Sequence, residues 1–149
     1  MQDMVLLELE SENMEDVLKE MVGFLKKRNK IIKEKDLYEK LIQRERLGST
    51  AIGDGVAIPH CKIKGIKDPI LSLAVSKKGV NFYSVDSKPA FVFFLVVSSP
   101  DNPSLNLQIL AAIAHLVRKA NSLLKKILEA KSIAEILDII QEEEEKINE

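Results

Sequence analysis

The sequence predicts an α/β domain in which helices cover both faces of a central sheet. Residues 90–97 form a continuous apolar run, which is typical of a strand that is buried on both faces. Segments with apolar residues at helical spacing lie before this run and after it. Strands placed between two groups of helices indicate a layered α/β architecture. The length of 149 residues suits one domain, residues 1–149.

The start of the chain predicts a short strand followed by two helices. Residues 5–10 predict the strand, or an ordered lead-in of similar length. Apolar residues at helical spacing over residues 14–25 predict the first helix, and Ser11 or Asn13 can cap it. The second helix is predicted over residues 34–46, and it ends where a glycine can reverse the chain.

Two further strands are predicted before the central apolar run. Residues 69–76 predict the first strand and residues 80–82 predict the second. Between them, the two lysines and the glycine of residues 77–79 predict a turn. The sheet would therefore contain several short strands around the one long apolar strand.

Three helical segments are predicted after the central strand. Pro103 suits the first turn of a helix, where its missing N–H is not needed, and Asp101 or Asn102 can cap that helix. The other two helices are predicted over residues 122–130 and 132–142. The run of glutamates that follows predicts a frayed, solvated end.

The composition argues against several classes of function. Lys and Arg total 22 against 23 for Asp and Glu, and the formal charge of −1 does not predict a nucleic-acid surface. The longest apolar run is too short to span a bilayer, so we expect no direct membrane insertion. A single cysteine, Cys61, cannot form an internal disulfide, and two histidines give no zinc-ligand spacing. These features predict a soluble cytoplasmic domain without a metal.

Residues 49–60 combine two glycines, a short apolar run and a proline directly before a histidine. Gly53 and Gly55 can adopt positive φ and can bring backbone N–H groups close to a phosphoryl group. Pro59 restricts the backbone, so that His60 is presented in a defined direction. A neutral imidazole is a good nucleophile near pH 7. From spacing alone, a tight turn that ends in a surface histidine is an equal alternative.

Residues 44–60 read RERLGSTAIGDGVAIPH. This segment resembles the signature of the IIA domains of the bacterial sugar phosphotransferase system, fructose–mannitol type, which includes the nitrogen-regulatory IIA proteins. The signature is R-E-x-x-x-[ST]-T-x-[IL]-G-x-G-[IV]-A-[IL]-P-H, and every fixed position is kept. The resemblance extends more loosely over residues 14–141. It implies a mannitol-type IIA fold, with a central mixed β-sheet and helices on both faces.

The resemblance implies a phosphoryl carrier. In that family, the histidine after the proline accepts a phosphoryl group from the phosphocarrier protein HPr and passes it to a IIB domain, so His60 is the implied acceptor. No cofactor is implied, because the donor already carries an activated phosphoryl group. The alternative within the family is a regulatory protein, in which phosphorylation of His60 controls binding to regulatory targets. A third reading is a copy that binds partners without being phosphorylated.

A phosphorylated histidine carries about two negative charges and needs nearby donors. Arg44 lies on the flank of the apolar stripe of the second predicted helix, whereas Arg46 points away from it. The family signature also requires the arginine at position 44, so we assign phosphoryl stabilisation to Arg44. Ser49 and Thr50 can cap the turn or donate a hydroxyl hydrogen bond, and we place Thr50 in the site.

One position departs from the family pattern. The family commonly has a second histidine in the helix after Pro103, and Asn106 stands there in this chain. Helical spacing places Asn106 near the middle of the inward face, with His115 on the opposite side. Asparagine can donate an N–H to a phosphoryl oxygen or hold the imidazole tautomer, but it cannot titrate near neutral pH. Any proton-shuttling role is therefore in doubt.

Overall fold

The computed structural model describes residues 4–28, 30–31, 33–119 and 122–147. Within these ranges, one mixed sheet of six strands lies between two layers of helices. The predicted fold class is confirmed. In chain order the elements are β1 (Val5–Leu6), α1 (Met14–Lys27), α2 (Glu34–Arg46), β2 (Ala51–Gly53), β3 (Val56–Ala57), β4 (His60–Lys62), β5 (Ile70–Val80), β6 (Ala90–Ser98), α3 (Pro103–Lys119), α4 (Leu123–Glu129) and α5 (Ile133–Ile147).

The sheet has the strand order β1-β5-β6-β3-β2, and β4 also pairs with β6. β3 and β4 run parallel to β6 and follow each other along it. Val56 lies opposite Val92 and His60 lies opposite Val96, so the register does not change between β3 and β4. Pro59 lies between β3 and β4 and has no N–H to donate. Its carbonyl nevertheless accepts from the Val96 N–H at 3.0 Å. His60 is therefore held at a fixed level beside the central strand.

The central strand β6 separates two hydrophobic cores. Phe93 and Leu95 face the core formed with α1 and α2, whereas Phe94 and Val96 face the core formed with α3, α4 and α5. All four side chains are buried. Alternate residues of a strand point to opposite faces, so each core receives every second side chain of β6. Burying a side chain of this size contributes about 1.5–3 kcal/mol.

Helices α1 and α3 each begin at a residue that the sequence predicted as a possible cap. Asn13 caps α1, and its Oδ1 accepts from the Asp16 N–H at 2.9 Å. At the start of α3, Asn102 Oδ1 accepts from the Leu105 N–H at 3.2 Å. Of the alternatives considered, Asn13 and Asn102 are thus the caps, because each satisfies a backbone donor that a first helical turn leaves unpaired.

Among the described helices, none combines the length and apolar character needed to cross a bilayer.

The predicted turn at residues 77–79 is wrong. β5 is one strand, Ile70–Val80, and it pairs with β6 along its length, with a register shift between Val75 and Val80. Gly79 has φ +85°, and the extra residues form an irregularity of the bulge type. The lysines and the glycine therefore bend a continuing strand instead of ending it. The first strand is also shorter than predicted, since β1 covers Val5–Leu6 alone.

The predicted frayed acidic end is also wrong. α5 continues through the run of glutamates to Ile147. Glu143 is buried, and its carboxylate accepts from Lys126 Nζ of α4 at 2.6 Å. This hydrogen bond is the main cause that lowers the pKa of Glu143. A cation on a neighbouring helix thus holds the last turns of α5 against the domain, and this partner could not be read from the charge run alone.

Candidate active site

His60 is the first residue of β4 and is half-buried. Its Nδ1 lies 2.7 Å from the carbonyl oxygen of Ile58. A carbonyl oxygen can only accept, so Nδ1 must carry the ring proton in this arrangement. In a neutral imidazole the other nitrogen, Nε2, then keeps its lone pair. The backbone two residues earlier therefore selects Nε2 as the nucleophilic atom.

The surroundings of His60 favour the neutral ring. Burial is the main cause that lowers the pKa of His60 below its ordinary value of 6.5, and the hydrogen bond with Ile58 opposes it. The positive charges of Arg44 and Lys62 lower the pKa further. A neutral imidazole is the form that has a lone pair to donate. The ring is thus kept nucleophilic by groups that can also attract an anion.

Arg44 lies in the last turn of α2 and is half-buried, whereas Arg46 in the same turn is exposed. Arg44 Nη1 donates to the Gly48 carbonyl at 2.8 Å. This bond folds the guanidinium over the loop that joins α2 to β2. Arg44 can still present its other N–H groups to an anion, because a guanidinium carries five donors. The assignment of Arg44, and not Arg46, to the site stays a prediction.

Strand register brings this loop to His60. Ile58 N–H donates to the Thr50 carbonyl at 3.0 Å, one residue beyond the antiparallel pairing of Ala51 in β2 with Ala57 in β3. In such a pairing, moving two residues along one strand matches moving two residues back along the other. The loop that precedes Thr50 contains Gly48, whose carbonyl holds the Arg44 guanidinium. The lowering of the His60 pKa by Arg44 agrees with this proximity.

Thr50 is buried, and its hydroxyl donates to Glu45 Oε1. The Thr50 N–H donates to the other oxygen of the same carboxylate, Oε2, at 3.1 Å. The hydroxyl that was predicted to donate to a phosphoryl group is therefore bound to Glu45 in this structure. Glu45 itself was missed by the sequence reasoning. Its position directly after Arg44, five residues before Thr50, was the available signal.

Glu45 is a buried carboxylate, and burial is the main cause that raises its pKa. The hydrogen bonds from Thr50 and the charge of Arg44 act in the opposite direction.

We expect Glu45→Ala to lower the free energy of unfolding by about 1–3 kcal/mol, because the buried Thr50 N–H loses its acceptor. Urea unfolding measures this loss. Glu45→Gln keeps an acceptor oxygen and should lose less, and an equal loss in the two variants would contradict the explanation.

The two glycines of the motif serve a hairpin and do not lie at His60. Asp54 and Gly55 connect β2 to β3 with φ of 56° and 81°, which is the type I′ geometry of a two-residue hairpin loop. Four residues of extended chain lie between Gly55 and His60, so five steps along the strand separate them by about 16 Å. Backbone N–H groups at Gly53 and Gly55 were expected to reach the phosphoryl group, and this expectation is wrong. Asp54 belongs to the turn of this hairpin.

Asn106 is buried on the inward face of α3, and His115 is exposed on the other side, both as predicted. Asn106 Nδ2 donates to the Ser99 carbonyl at 3.0 Å. Asn106 Oδ1 is buried and has no hydrogen-bond partner among the described residues. Ser99 directly follows β6, the strand that pairs with His60. The Asn106 amide is thus anchored near the end of β6, the strand beside His60.

Cys61, next to His60, points to the opposite face of the sheet. It packs against the core formed with α1 and α2. Burial is the main cause that raises the pKa of Cys61 to about 12. A thiol with this pKa is almost entirely protonated near pH 7 and is a poor nucleophile. Cys61 is therefore a packing residue.

The fold is shared with solved IIA structures. The nitrogen regulatory protein IIA-Ntr from Neisseria meningitidis superposes with a TM-score of 0.86 and 26% sequence identity, over 94% of each chain. IIA mannitol from Escherichia coli superposes with a TM-score of 0.79 over 94% of this chain and 97% of that chain. At 15% identity, the second comparison supports the fold alone.

Sequence comparisons agree with the structural ones. The PTS system fructose-specific EIIABC component of Bacillus subtilis is 34% identical over 136 residues, which are 91% of this chain and 21% of that protein. A nitrogen regulatory protein of Pseudomonas aeruginosa is 33% identical over 57% of this chain and 55% of its own length. This chain thus spans about a fifth and about half of these two relatives. The family model "Phosphoenolpyruvate-dependent sugar phosphotransferase system, EIIA 2" matches residues 1–143. The chain belongs to the EIIA 2 family of the phosphoenolpyruvate-dependent sugar phosphotransferase system.

Proposed function

We propose that this protein is a phosphoryl carrier that accepts a phosphoryl group on His60 Nε2 from the phosphohistidine of HPr and passes it to a IIB component. One observation carries the proposal: His60 Nδ1 lies 2.7 Å from the Ile58 carbonyl oxygen. This contact fixes the tautomer that leaves Nε2 with a lone pair. Burial and two neighbouring cations keep the ring neutral, so the lone pair is available near pH 7.

The proposed transfer is an in-line displacement at phosphorus. The Nε2 lone pair forms the new N–P bond, the N–P bond of the donor histidine breaks, and its electron pair returns to the donor ring. The proton on Nδ1 stays in the hydrogen bond with the Ile58 carbonyl during this step. Passing the group to IIB repeats the displacement in the other direction, with Nε2 as the leaving atom. Positioning and charge stabilisation supply most of the catalysis.

Arg44 is proposed to stabilise the transferred group. A guanidinium matches the geometry of phosphoryl oxygens and keeps its charge at any physiological pH. Asn106 and Thr50 are the weaker candidates for this role. Asn106 has a buried oxygen that finds no partner within the described part of the chain, and this oxygen would need a donor and not a phosphoryl oxygen. The Thr50 hydroxyl is bound to Glu45, so its contribution is more easily explained as positioning.

A IIB partner is supported by a structural neighbour. The complex of enzyme IIAMTL with phosphorylated enzyme IIBMTL from Escherichia coli contains a chain that superposes with a TM-score of 0.75 at 16% identity. The likeness at this identity concerns the fold, and the partner is inferred by analogy. The fructose-specific name of the Bacillus subtilis relative supports a sugar-transport role.

A regulatory function is the second candidate, and the comparison with IIA-Ntr of Neisseria meningitidis favours it. In that case the phosphorylation state of His60 would control binding to a regulatory target. The two candidates share the first transfer and differ in the second. Incubating the phosphorylated protein with sugar-specific IIB domains separates them, because only a transport component should pass the group on.

Arg44→Ala is the test of the first transfer, with Arg46→Ala as the matched control in the same helical turn. We expect Arg44→Ala to slow phosphoryl uptake from phospho-HPr by about a hundredfold, since removing one charged donor costs about that much in comparable sites. Arg46 is exposed and should be replaceable without a change in rate. The rate is measured with radiolabelled phosphoenolpyruvate, enzyme I and HPr. Equal rates for the two variants would remove Arg44 from the site.

A further inference from the structure

We propose that Glu45 is a positioning residue for His60, an inference that rests on the phosphoryl-carrier function proposed above. Glu45 does not touch the reacting nitrogen. It acts through Thr50 and Ile58, by taking one backbone N–H out of the strand pair so that the Ile58 carbonyl is left for the imidazole. Its effect is therefore on the tautomer and direction of the His60 ring.

Thr50 and Ile58 are joined by a backbone hydrogen bond just beyond the ends of β2 and β3. In a regular antiparallel pair, two opposite residues at a hydrogen-bonded position exchange both N–H···O bonds. Ile58 N–H donates to the Thr50 carbonyl at 3.0 Å, which is one of these two bonds. Regular geometry would add the reciprocal bond, from the Thr50 N–H to the Ile58 carbonyl. The Thr50 N–H donates instead to Glu45 Oε2 at 3.1 Å.

The Ile58 carbonyl takes a different donor. His60 Nδ1 lies 2.7 Å from it and occupies the place of the reciprocal ladder bond. One half of a ladder pair is thus replaced by two side-chain hydrogen bonds, one to a carboxylate and one from an imidazole. Thr50 and Ile58 are both buried, so their backbone groups must find partners within the protein. Changing either side-chain bond should therefore affect the other.

A carboxylate suits this position for a specific reason. Thr50 offers two donors on the same side, its N–H and its hydroxyl, and both bind Glu45. The two oxygens of one carboxylate accept both donors at once, which fixes the side chain in one orientation. Without Glu45, the acceptor closest to the Thr50 N–H in the ladder is the Ile58 carbonyl. A carbonyl oxygen has two lone pairs, so the Thr50 N–H would share that oxygen with His60 Nδ1 and would change the direction and strength of the imidazole hydrogen bond.

Three variants at this position test the inference, with Glu143→Ala as the control. Glu143 is a second glutamate of the same 7% exposure, and it lies on α5, where it pairs with Lys126 of α4. The first readout is the ¹⁵N NMR spectrum of the unphosphorylated imidazole, which reports the protonated nitrogen. The second is the rate of phosphoryl uptake from phospho-HPr, compared after each variant has been shown to fold by circular dichroism.

Glu45→Ala is expected to give a mixture of His60 tautomers and to slow uptake by about tenfold to a hundredfold, as a displaced reacting group would. Glu143→Ala should keep the wild-type tautomer and rate. Glu45→Gln retains an acceptor for the Thr50 N–H and should restore the tautomer. Glu45→Asp retains the charge but shortens the reach and should not restore it. A wild-type tautomer in folded Glu45→Ala, or rescue by aspartate and not by glutamine, would overturn the inference.

The comparison of glutamine with aspartate remains decisive if Glu45→Ala does not fold. The two readouts also separate this inference from the proposed function. The tautomer is measured without phosphorylation, so it tests the role of Glu45 even if the wild-type protein takes no phosphoryl group. Absence of uptake in the wild type, with the Nδ1–H tautomer present and sensitive to Glu45, would overturn the carrier function alone.

Discussion

His60→Gln is expected to abolish phosphoryl uptake from phospho-HPr, with a loss of roughly a thousandfold or more, because it removes the nucleophile. Glutamine has a similar size, and its amide can donate to the Ile58 carbonyl as Nδ1 does, so the fold should be kept. His115→Gln is the matched control, since His115 is exposed on α3. The measurement is acid-labile, base-stable incorporation of radiolabelled phosphate into each purified variant.

The result would be informative in either direction. Loss of label in His60→Gln and retention in His115→Gln identify the acceptor. Label that persists in His60→Gln would place the acceptor at another residue and contradict the proposal. A wild-type protein that takes no label, while a known IIA domain does under the same conditions, would favour the binding-only reading that Asn106 first suggested.

Gly55→Ala is expected to cause the largest loss of stability among the substitutions considered. Gly55 has φ +81°, which costs about 1–2 kcal/mol for a residue with a Cβ atom. Its added Cβ would lie 2.6 Å from Leu124 Cδ2 and 3.3 Å from Phe91 Cδ2. Overpacking of this kind costs about a further 1–3 kcal/mol. Urea unfolding should therefore give a free energy of unfolding lower by about 2–5 kcal/mol.

Gly65→Ala separates the two contributions. Gly65 has a similar φ of +87°, but an added Cβ would meet no atom of the described residues within 4 Å. We expect this variant to lose about 1–2 kcal/mol, from backbone strain alone. If both variants lost the same free energy of unfolding, the close packing of the β2–β3 hairpin against α4 would not be the reason why glycine is needed at position 55.

The sequence allowed the main elements of the fold to be predicted because their signals are local. The boundaries of α2 agree with the prediction, since helical spacing and a following glycine define both ends. The apolar run of β6 predicted a strand buried on both faces, and alternation of its side chains between two cores confirms it. Glu143 was misread because its partner, Lys126, lies on another helix.

The candidate site was predictable to a lesser extent. His60 and Arg44 stand in a motif, and local geometry explains their nearness. The sequence around Gly53 and Gly55 allowed either a tight turn or backbone donors for an anion, and Asp54 and Gly55 form the turn. The motif draws attention to Glu45, but its hydrogen-bond partners could not be read from the sequence, because they depend on which residue lies opposite Thr50. That register is a tertiary property and leaves no local pattern.

The central claim is that the backbone at Ile58 holds the proton on His60 Nδ1 and leaves Nε2 as the acceptor. ¹⁵N NMR of the imidazole in the His115→Gln protein tests it directly, before and after phosphorylation. We predict a protonated Nδ1 that persists, a titration midpoint below the ordinary pKa of 6.5, and a phosphoryl group on Nε2. A proton on Nε2 in the free protein, with the phosphoryl group on Nδ1 after transfer, would contradict the claim.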